Sequence, residues 1–337
     1  MTENKKRKWA LATASLIGLV AIASLISLCA GSAGIHPADI PGILLKGHGT
    51  AERSILLDIR LPRLILGLAV GGSLGLAGAL LQGIFRNPLV EPYTLGISGG
   101  ASLGVCANII LNLHDTLGML AYPASGFMGA AAVVFLVYGL NRKPGAMKSG
   151  GMLLTGVMIS YVSSSAVMLL MAVSGNDDLR DIVFWIMGSL DEPSPFLIRA
   201  SVWVSLAGLA ASFFFCLDLN ALALGEEEAE HLGVHAARTR KRVFVIASVM
   251  TGLSVSVAGV IMFAGLIVPH FMRIIIGSDH RILLVGSFLA GASFLALCDV
   301  IARTIISPLE LPVGVITGII GGTVFIWALY RKGSEMS

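Results

Sequence analysis

The stretch that decides the fold runs from residue 62 to residue 84 and reads PRLILGLAVGGSLGLAGALLQGI. Arg63 is its only ionisable residue, and its apolar residues follow one another without the alternation of a half-buried strand. A run of this length is enough to cross the ~30 Å hydrocarbon core of a bilayer as one helix. Small residues at a spacing of four share one side of that helix: Gly67, Gly71, Gly75 and Ala79. Because small residues let a second helix approach closely, the stretch predicts a transmembrane helix packed inside a bundle.

The composition of the whole chain extends this prediction beyond one helix. Of its 337 residues, 55% are hydrophobic and 13% are charged, and the mean hydropathy is +0.87. A soluble domain carries about 25% charged residues, so these values exclude an ordinary soluble enzyme and a disordered chain. Long unalternating runs favour helices over the strands of an outer-membrane barrel. We therefore expect an all-α, polytopic membrane protein, and the small net charge of +3 gives no reason to expect nucleic acid.

Ten apolar segments are long enough, or nearly so, to be spans. The predicted spans are 9–30, 62–84, 93–113, 117–140, 149–173, 196–217, 243–262, 263–277, 283–302 and 312–330. The first is predicted to stay uncleaved, because its apolar core exceeds the about 7–15 residues of a signal peptide. The division near residue 262 rests on parity, since 243–277 also reads as one long segment.

Basic residues divide unequally between the two sides of this topology. Sixteen Lys and Arg residues lie on the side that holds both termini and seven on the other side, out of 23. Cytoplasmic loops of membrane proteins carry the excess of Lys and Arg. The N- and C-termini are therefore predicted to be cytoplasmic, in a single transmembrane domain of residues 1–337.

Few groups in the chain are suited to catalysis or ion coupling. Asp299 is the one carboxylate well inside an apolar run, and Arg303 at i+4 is placed to pair with it, so a functional role and a structural one both remain open. No phosphate-binding loop of the G-x-x-x-x-G-K-[ST] type occurs. His231 and His235 lie four apart, with Glu227 four residues earlier, but there is no H-E-x-x-H motif and no distant acidic or His cluster to complete a ligand set, so we predict no metal site. We expect a transport protein that is not an enzyme and draws its energy from elsewhere.

The longest hydrophilic loop, residues 218–242, is predicted to carry a short helix. Glu226 and Glu227 suit a helix N-terminus, where the macrodipole favours negative charge. Gly233 suits the C-terminal stop. The loop is either a solvated, charged connection or a rigid knob that a soluble partner grips.

Several motifs occur in order along the chain. They are RLPR at 60–63, GIFRNPLVEP at 83–92, LGISGGA at 95–101, GLIVPH at 265–270 and ELPVG at 310–314. Through them, residues 55–330 resemble the permeases of type II ABC importers, which bring iron–siderophore complexes, haem and cobalamin into bacteria. The resemblance implies the fold of that family, with ten spans per subunit. It also implies a homodimer or pseudo-symmetric pair, two cytoplasmic ATP-binding subunits, an external substrate-binding protein and a place in the bacterial cytoplasmic (inner) membrane.

The resemblance also assigns roles to single residues. Coupling to the ATPase is implied for Glu226, Glu227, Ala229, Leu232 and Gly233. The gate is implied at Asn87, Pro88, Leu89 and Ser149. The segment 178–189 matches a short outer helix that leans over the pathway. Met152, Met158, Met168 and Met171 lie on the fifth span, either as packing residues or as soft walls of the pathway.

Three arginines are predicted at the outer face: Arg60, Arg63 and Arg303. Basic residues are disfavoured there, and the planar guanidinium binds carboxylates in bidentate fashion. In the family, equivalent arginines meet glutamates of the binding protein. The alternative is that they only anchor helix ends at lipid headgroups.

The function expected is the permease subunit of an ATP-driven importer of a metal chelate. Iron–siderophore leads because it is the commonest cargo of the family, with haem, cobalamin and molybdate as alternatives. No cofactor is expected on this chain, because ATP and Mg would bind the partner ATPase. A secondary transporter or channel acting alone is the alternative of another class.

Overall fold

A computed structural model describes residues 3–31, 34–46, 49–114, 118–141 and 149–334, and within them the chain is built of helices joined by short turns. The helices of the first half are α1 (Glu3–Cys29), α2 (Ile40–Lys46), α3 (Ala51–Phe85), α4 (Ile97–Ile110), α5 (Ala121–Leu140) and α6 (Ser149–Val173). Those of the second half are α7 (Asn176–Met187), α8 (Pro195–Phe213), α9 (Cys216–Leu224), α10 (Glu226–His231), α11 (Ala236–Ala258), α12 (Ala264–Ile276), α13 (His280–Thr304) and α14 (Val313–Ser334).

Ten of these helices correspond to the ten predicted spans. In the described part of the chain seven are long and apolar enough to cross a membrane by themselves, namely α1, α3, α5, α6, α8, α11 and α13. The other three are apolar but shorter, namely α4, α12 and the stretch Val313–Ala328 of α14. The all-α fold class is confirmed, and so is the division of 243–277 into two helices.

Helix α3 forms the centre of the bundle: 89% of the residues in its most apolar 18-residue stretch are buried. Its glycine stripe faces α13. A Cβ on Gly71 would overlap the carbonyl oxygen of Gly291, and one on Gly75 would overlap that of Ser287. The two backbones are therefore in direct contact, as the spacing of small residues predicted.

Two interruptions of the α-helices, 86–96 and 259–263, enter the interior and shorten the third and seventh predicted spans. The first contains one short 3-10 helix, Pro92–Leu95. Pro92 lies beside Gly265 and the middle of α3, so the helix of the third span starts inside the bundle, at residue 97 rather than 93. The backbone N–H of Ile261 donates to the hydroxyl of Tyr93 at 3.0 Å. Unwound backbone at this depth needs such partners, because lipid offers none.

The bundle has two ends, named here for one residue at each. The Lys5 end holds the start of α1, the end of α3, helices α9 and α10, and the turn before α13. The Arg60 end holds the end of α1, the start of α3 and the end of α13. Lys5 contacts Asp279 at 3.2 Å, and Arg60 donates to the carbonyl oxygen of Leu28 at 2.7 Å.

Candidate functional site

At the Lys5 end, α9 and α10 form a compact knob, defined here as residues 216–233. Helix α10 ends in a Schellman motif around Gly233, which has φ +84°. The N–H of Val234 donates to the carbonyl oxygen of Ala229 at 2.9 Å, and that of Gly233 donates to Glu230 at 2.9 Å. Val234 also packs against the apolar cluster that contains Ala229, and such an apolar contact often accompanies this motif. The helix stop predicted at Gly233 is confirmed.

The knob is tied to the start of α11 by side chains. Thr239 donates to the Asp218 carboxylate at 2.8 Å, and Arg240 pairs with Glu226. Ala229 is fully buried in a small apolar cluster with Leu222. These contacts make a rigid projection rather than an irregular solvated loop.

The predicted coupling residues divide into two kinds. Glu227, Leu232 and Gly233 are exposed, Leu232 to 64%, so they are available to a partner. Ala229 is buried inside the knob, and Glu226, whose side chain is 44% exposed, pairs with the buried Arg240 of α11. A role of these residues in coupling to an ATPase stays a prediction.

The predicted gate segment follows α3 directly. The helix ends at Phe85, and Arg86 has the left-handed conformation that closes many helix C-termini, with φ +52°. The side-chain oxygen of Asn87 accepts from the N–H of Leu89 at 2.9 Å, which forms a tight turn through Pro88. Leu89 is 56% exposed, so an apolar side chain projects from this turn.

Helices α4, α6 and α7 line a cavity of about 510 Å³ on the side of α6. Its lining is hydroxyl-bearing and apolar, and the residues are Tyr93, Ser98, Gly99, Ser102, Ser160, Ser164, Val167, Met168, Met171, Val183, Ile186, Met187 and Val260. Met168 is 69% exposed at this cavity, whereas Met152 is buried. Ser149 begins α6, but its side chain lies outside the described residues.

Sequence reasoning missed the serines of this wall. Ser98 and Ser102 lie four apart on α4, and Ser160 and Ser164 lie four apart on α6. That spacing places each pair on one side of its helix, so the signal was in the sequence. None of the lining residues is His, Cys, Asp or Glu, so the described wall carries no ordinary ligand for a bare metal ion.

The three arginines predicted at the outer face are buried within the chain, whereas docking on a binding protein led us to expect partly exposed side chains. Arg60 is 4% exposed, Arg63 8% and Arg303 7%. Arg63 and Arg303 donate through Nε to the two oxygens of Asp299, at 2.8 and 2.9 Å. The i+4 pairing predicted for Asp299 and Arg303 is confirmed.

The remaining bonds of the arginines also stay within the chain. Arg63 donates to Glu310 at 2.6 Å. Arg60 and Arg303 cap the C-terminal carbonyl groups of α1, which have no helical partner of their own. Docking of a second protein on these arginines stays a prediction, and it requires some of these internal bonds to open.

Comparisons with known proteins agree with this architecture. The model of the FecCD transport family matches residues 19–331. The hemin transport system permease protein HmuU of Yersinia pestis is 36% identical over 317 residues, 93% of this chain and 95% of that protein. The cobalamin import system permease protein BtuC of Halobacterium salinarum is 40% identical over 275 residues, 82% of this chain and 73% of that protein.

A solved structure shares the whole bundle. It is a metal-chelate type ABC transporter in an inward-facing conformation, with a TM-score of 0.83, 28% identity, and coverage of 96% of this chain and 99% of that one. The match of the family model to nearly the whole chain, together with this shared bundle, leads to one conclusion: the chain belongs to the FecCD transport family.

Proposed function

We propose that this chain is the membrane-spanning subunit of an ATP-driven importer and forms the pathway for an intact metal chelate. One observation carries the proposal. The rigid knob of residues 216–233 presents exposed Glu227 and Leu232 beyond the helical bundle, in a chain of the FecCD transport family. A transporter or channel acting alone has no need of such a projection.

The cavity beside α6 supports an organic cargo. Ser98, Ser102 and Ser164 offer hydroxyl groups, and Met168 and Met171 offer flexible, polarizable surface. A wall with weak, dispersed contacts suits a bulky chelate that must leave as readily as it enters. An iron–siderophore complex is the first candidate, and haem and cobalamin, the cargoes named for similar permeases, are the alternatives.

The surface of α6 beside this cavity also supports assembly of the chain as a dimer. Helix α6 leaves large apolar side chains exposed beside the cavity, among them Tyr161, Met168 and Leu169. A second copy packed there would enclose the cavity between two walls. In the proposed orientation the Lys5 end faces the cytoplasm and two ATP-binding subunits, and the Arg60 end faces an external binding protein.

Copurification with its ATP-binding subunit is the first test. The complex should be reconstituted in proteoliposomes with its binding protein and offered a ferric siderophore, haem or cobalamin. We expect uptake of one of these that requires ATP, and no uptake when the ATPase carries a substitution that abolishes hydrolysis. Uptake without ATP, or purification as a chain that binds no ATPase, would contradict the proposal.

A further inference from the structure

The contact between α9 and the start of α13 depends on one amide side chain, that of Asn220. Its Nδ2 group donates to the Asp279 carboxylate at 3.0 Å. Its Oδ1 atom accepts from the backbone N–H of His280 at 2.9 Å and lies 2.9 Å from His280 Nδ1. The first N–H of α13 has no partner within its own helix, so a side chain of α9 supplies one. Three contacts from one residue hold the two helices together.

The other side of the His280 ring faces α3. A Cβ on Gly83 would lie 2.9 Å from His280 Nε2 and 3.2 Å from Leu219 of α9. The residue at this position must therefore be small for the ring and α9 to reach the end of α3. Gly83 is two residues before Phe85, where α3 ends and the gate segment begins. The contact thus joins α9, α13 and the end of α3 at one point.

Helix α9 is also part of the knob. Ala221 and Leu222 pack against Ala229 of α10 in one apolar cluster, while Leu219 is fully buried toward α3. A displacement of α10 therefore moves α9 with it, because packed interiors shift as units rather than deform continuously. Where α9 meets α3, its neighbours are the His280 ring and Gly83, so a movement of α9 would displace both.

Charged groups hold the turn before α13 in place from outside. Asp279 accepts from Arg281 at 2.7 and 3.0 Å and pairs with Lys5 of α1 at 3.2 Å. Both cations also lie against the ring of Trp9, with Lys5 Nζ 5.0 Å and the guanidinium carbon of Arg281 5.2 Å from the ring centre. The turn is thus bound to α1 as well as to α9, so a shift of α9 is passed on rather than absorbed by a loose loop.

We infer that Asn220 and His280 form the transmission contact between the knob and the gate: they pass movement of α10 to the end of α3 and to Leu89. Both are positioning residues, since they act through α3 and α13. The inference rests on the proposed function and adds to it the residues through which the knob acts. Its physical basis is a contiguous set of bonds and packed surfaces between two sites.

The test compares Asn220→Ala with the parental complex in proteoliposomes, using a ferric siderophore, haem or cobalamin, whichever the parental complex imports. We expect ATP hydrolysis within about twofold of the parental rate, and cargo moved per ATP lowered about tenfold, in the range measured for coupling between sites. A second readout needs no cargo. With Leu89→Cys in a chain lacking other cysteines, the yield of crosslinked dimer should change with a non-hydrolysable ATP analogue, and Asn220→Ala should abolish that change.

A charge swap separates transmission from stability. Asn220→Asp places two carboxylates in contact and should uncouple as Asn220→Ala does. Adding Asp279→Asn restores one amide and one carboxylate in exchanged positions, so transport per ATP should return in part, while the pairs of position 279 with Lys5 and Arg281 stay lost. Asn108→Ala is the matched control. It loses bonds to the carbonyl oxygen of Ala121 at 3.0 Å and to Ser125 at 3.3 Å, at the Arg60 end, and should leave the transport ratio of the folded complex unchanged.

Each outcome has one meaning. Transport per ATP and nucleotide-dependent crosslinking that both survive in Asn220→Ala would overturn the transmission contact and leave the proposed function intact. A parental complex that imports nothing with ATP would overturn the proposed function, and the transmission contact with it.

Discussion

Replacing Asp299 by asparagine should destabilise the folded protein strongly, because this one carboxylate pairs with two buried arginines. Its oxygens accept from Arg63 at 2.8 Å and from Arg303 at 2.9 Å, and its side chain is 2% exposed. In Asp299→Asn, Arg63 keeps Glu310, whereas Arg303 keeps only uncharged acceptors such as the carbonyl oxygens of Ser27 and Ala30. An arginine charge without a carboxylate then stays buried.

The expected magnitude follows from that burial. Removing one partner of a buried ion pair costs about 3–5 kcal/mol. With the average unfolding entropy per residue of globular proteins, a chain of 337 residues would show a fall in Tm of about 4–7 °C. Glu310→Gln is the matched control, since Glu310 is 53% exposed and also pairs with Arg63. An exposed pair is worth about 0–1 kcal/mol, so this variant should lose about 1 °C.

Thermal unfolding of the detergent-solubilised protein, followed by loss of the monodisperse peak, measures both variants. Adding Arg303→Met to Asp299→Asn should recover part of the loss, because an apolar replacement removes the uncompensated charge. A Tm for Asp299→Asn no lower than that of Glu310→Gln would refute the reasoning. It would mean that water or lipid headgroups reach the arginines.

The same network changes the expectation for Arg60→Glu with Arg63→Glu. On exposed arginines this double reversal would weaken association with a binding protein and make that association sensitive to salt. On the buried ones it should first lower the yield of folded protein, since Arg63→Glu sets a carboxylate against Asp299. Measurements of yield and of salt-dependent affinity on the surviving complex distinguish the two cases.

Three further predictions concern the Lys5 end. Gly233→Val should lower the local stability of the knob by about 1–2 kcal/mol, because valine disfavours the left-handed backbone at this position, and should impair transport. Gly233→Asn should retain transport, because asparagine tolerates this conformation. Equal uptake by both variants would contradict this prediction. Cysteine at position 89 should form crosslinked dimers to different extents with and without nucleotide, and equal yields in every state would remove the gate assignment. The Arg281 guanidinium holds the pKa of the Asp279 carboxyl below its usual range. The ionised carboxylate therefore stabilises the fold fully above pH ~4, and this stabilisation is lost as the pH falls further. Asp279→Asn should remove this part of the acid sensitivity of Tm.

Much of the bundle could be predicted from the sequence, and the reason is the solvent. In lipid a single segment satisfies its backbone hydrogen bonds only as a helix, so long apolar runs such as 62–84 leave one local structure. The glycine spacing at Gly71 and Gly75 likewise predicted close packing, since it depends only on which residues share a helix face. The stop of α10 at Gly233 is local for the same reason, because a Schellman motif is made by neighbouring residues.

The surroundings of the polar residues were decided only by the tertiary structure. An arginine at a helix end gives the same sequence pattern whether its side chain faces water, a headgroup or a carboxylate. The two acidic partners of Arg63 lie 236 and 247 residues away along the chain. Asn220 and Asp279 are 59 residues apart, and no local pattern links them. The sequence by itself thus determined the helices and their small-residue faces, whereas packing decided which charges are buried, since burial depends on residues that only the folded chain brings together.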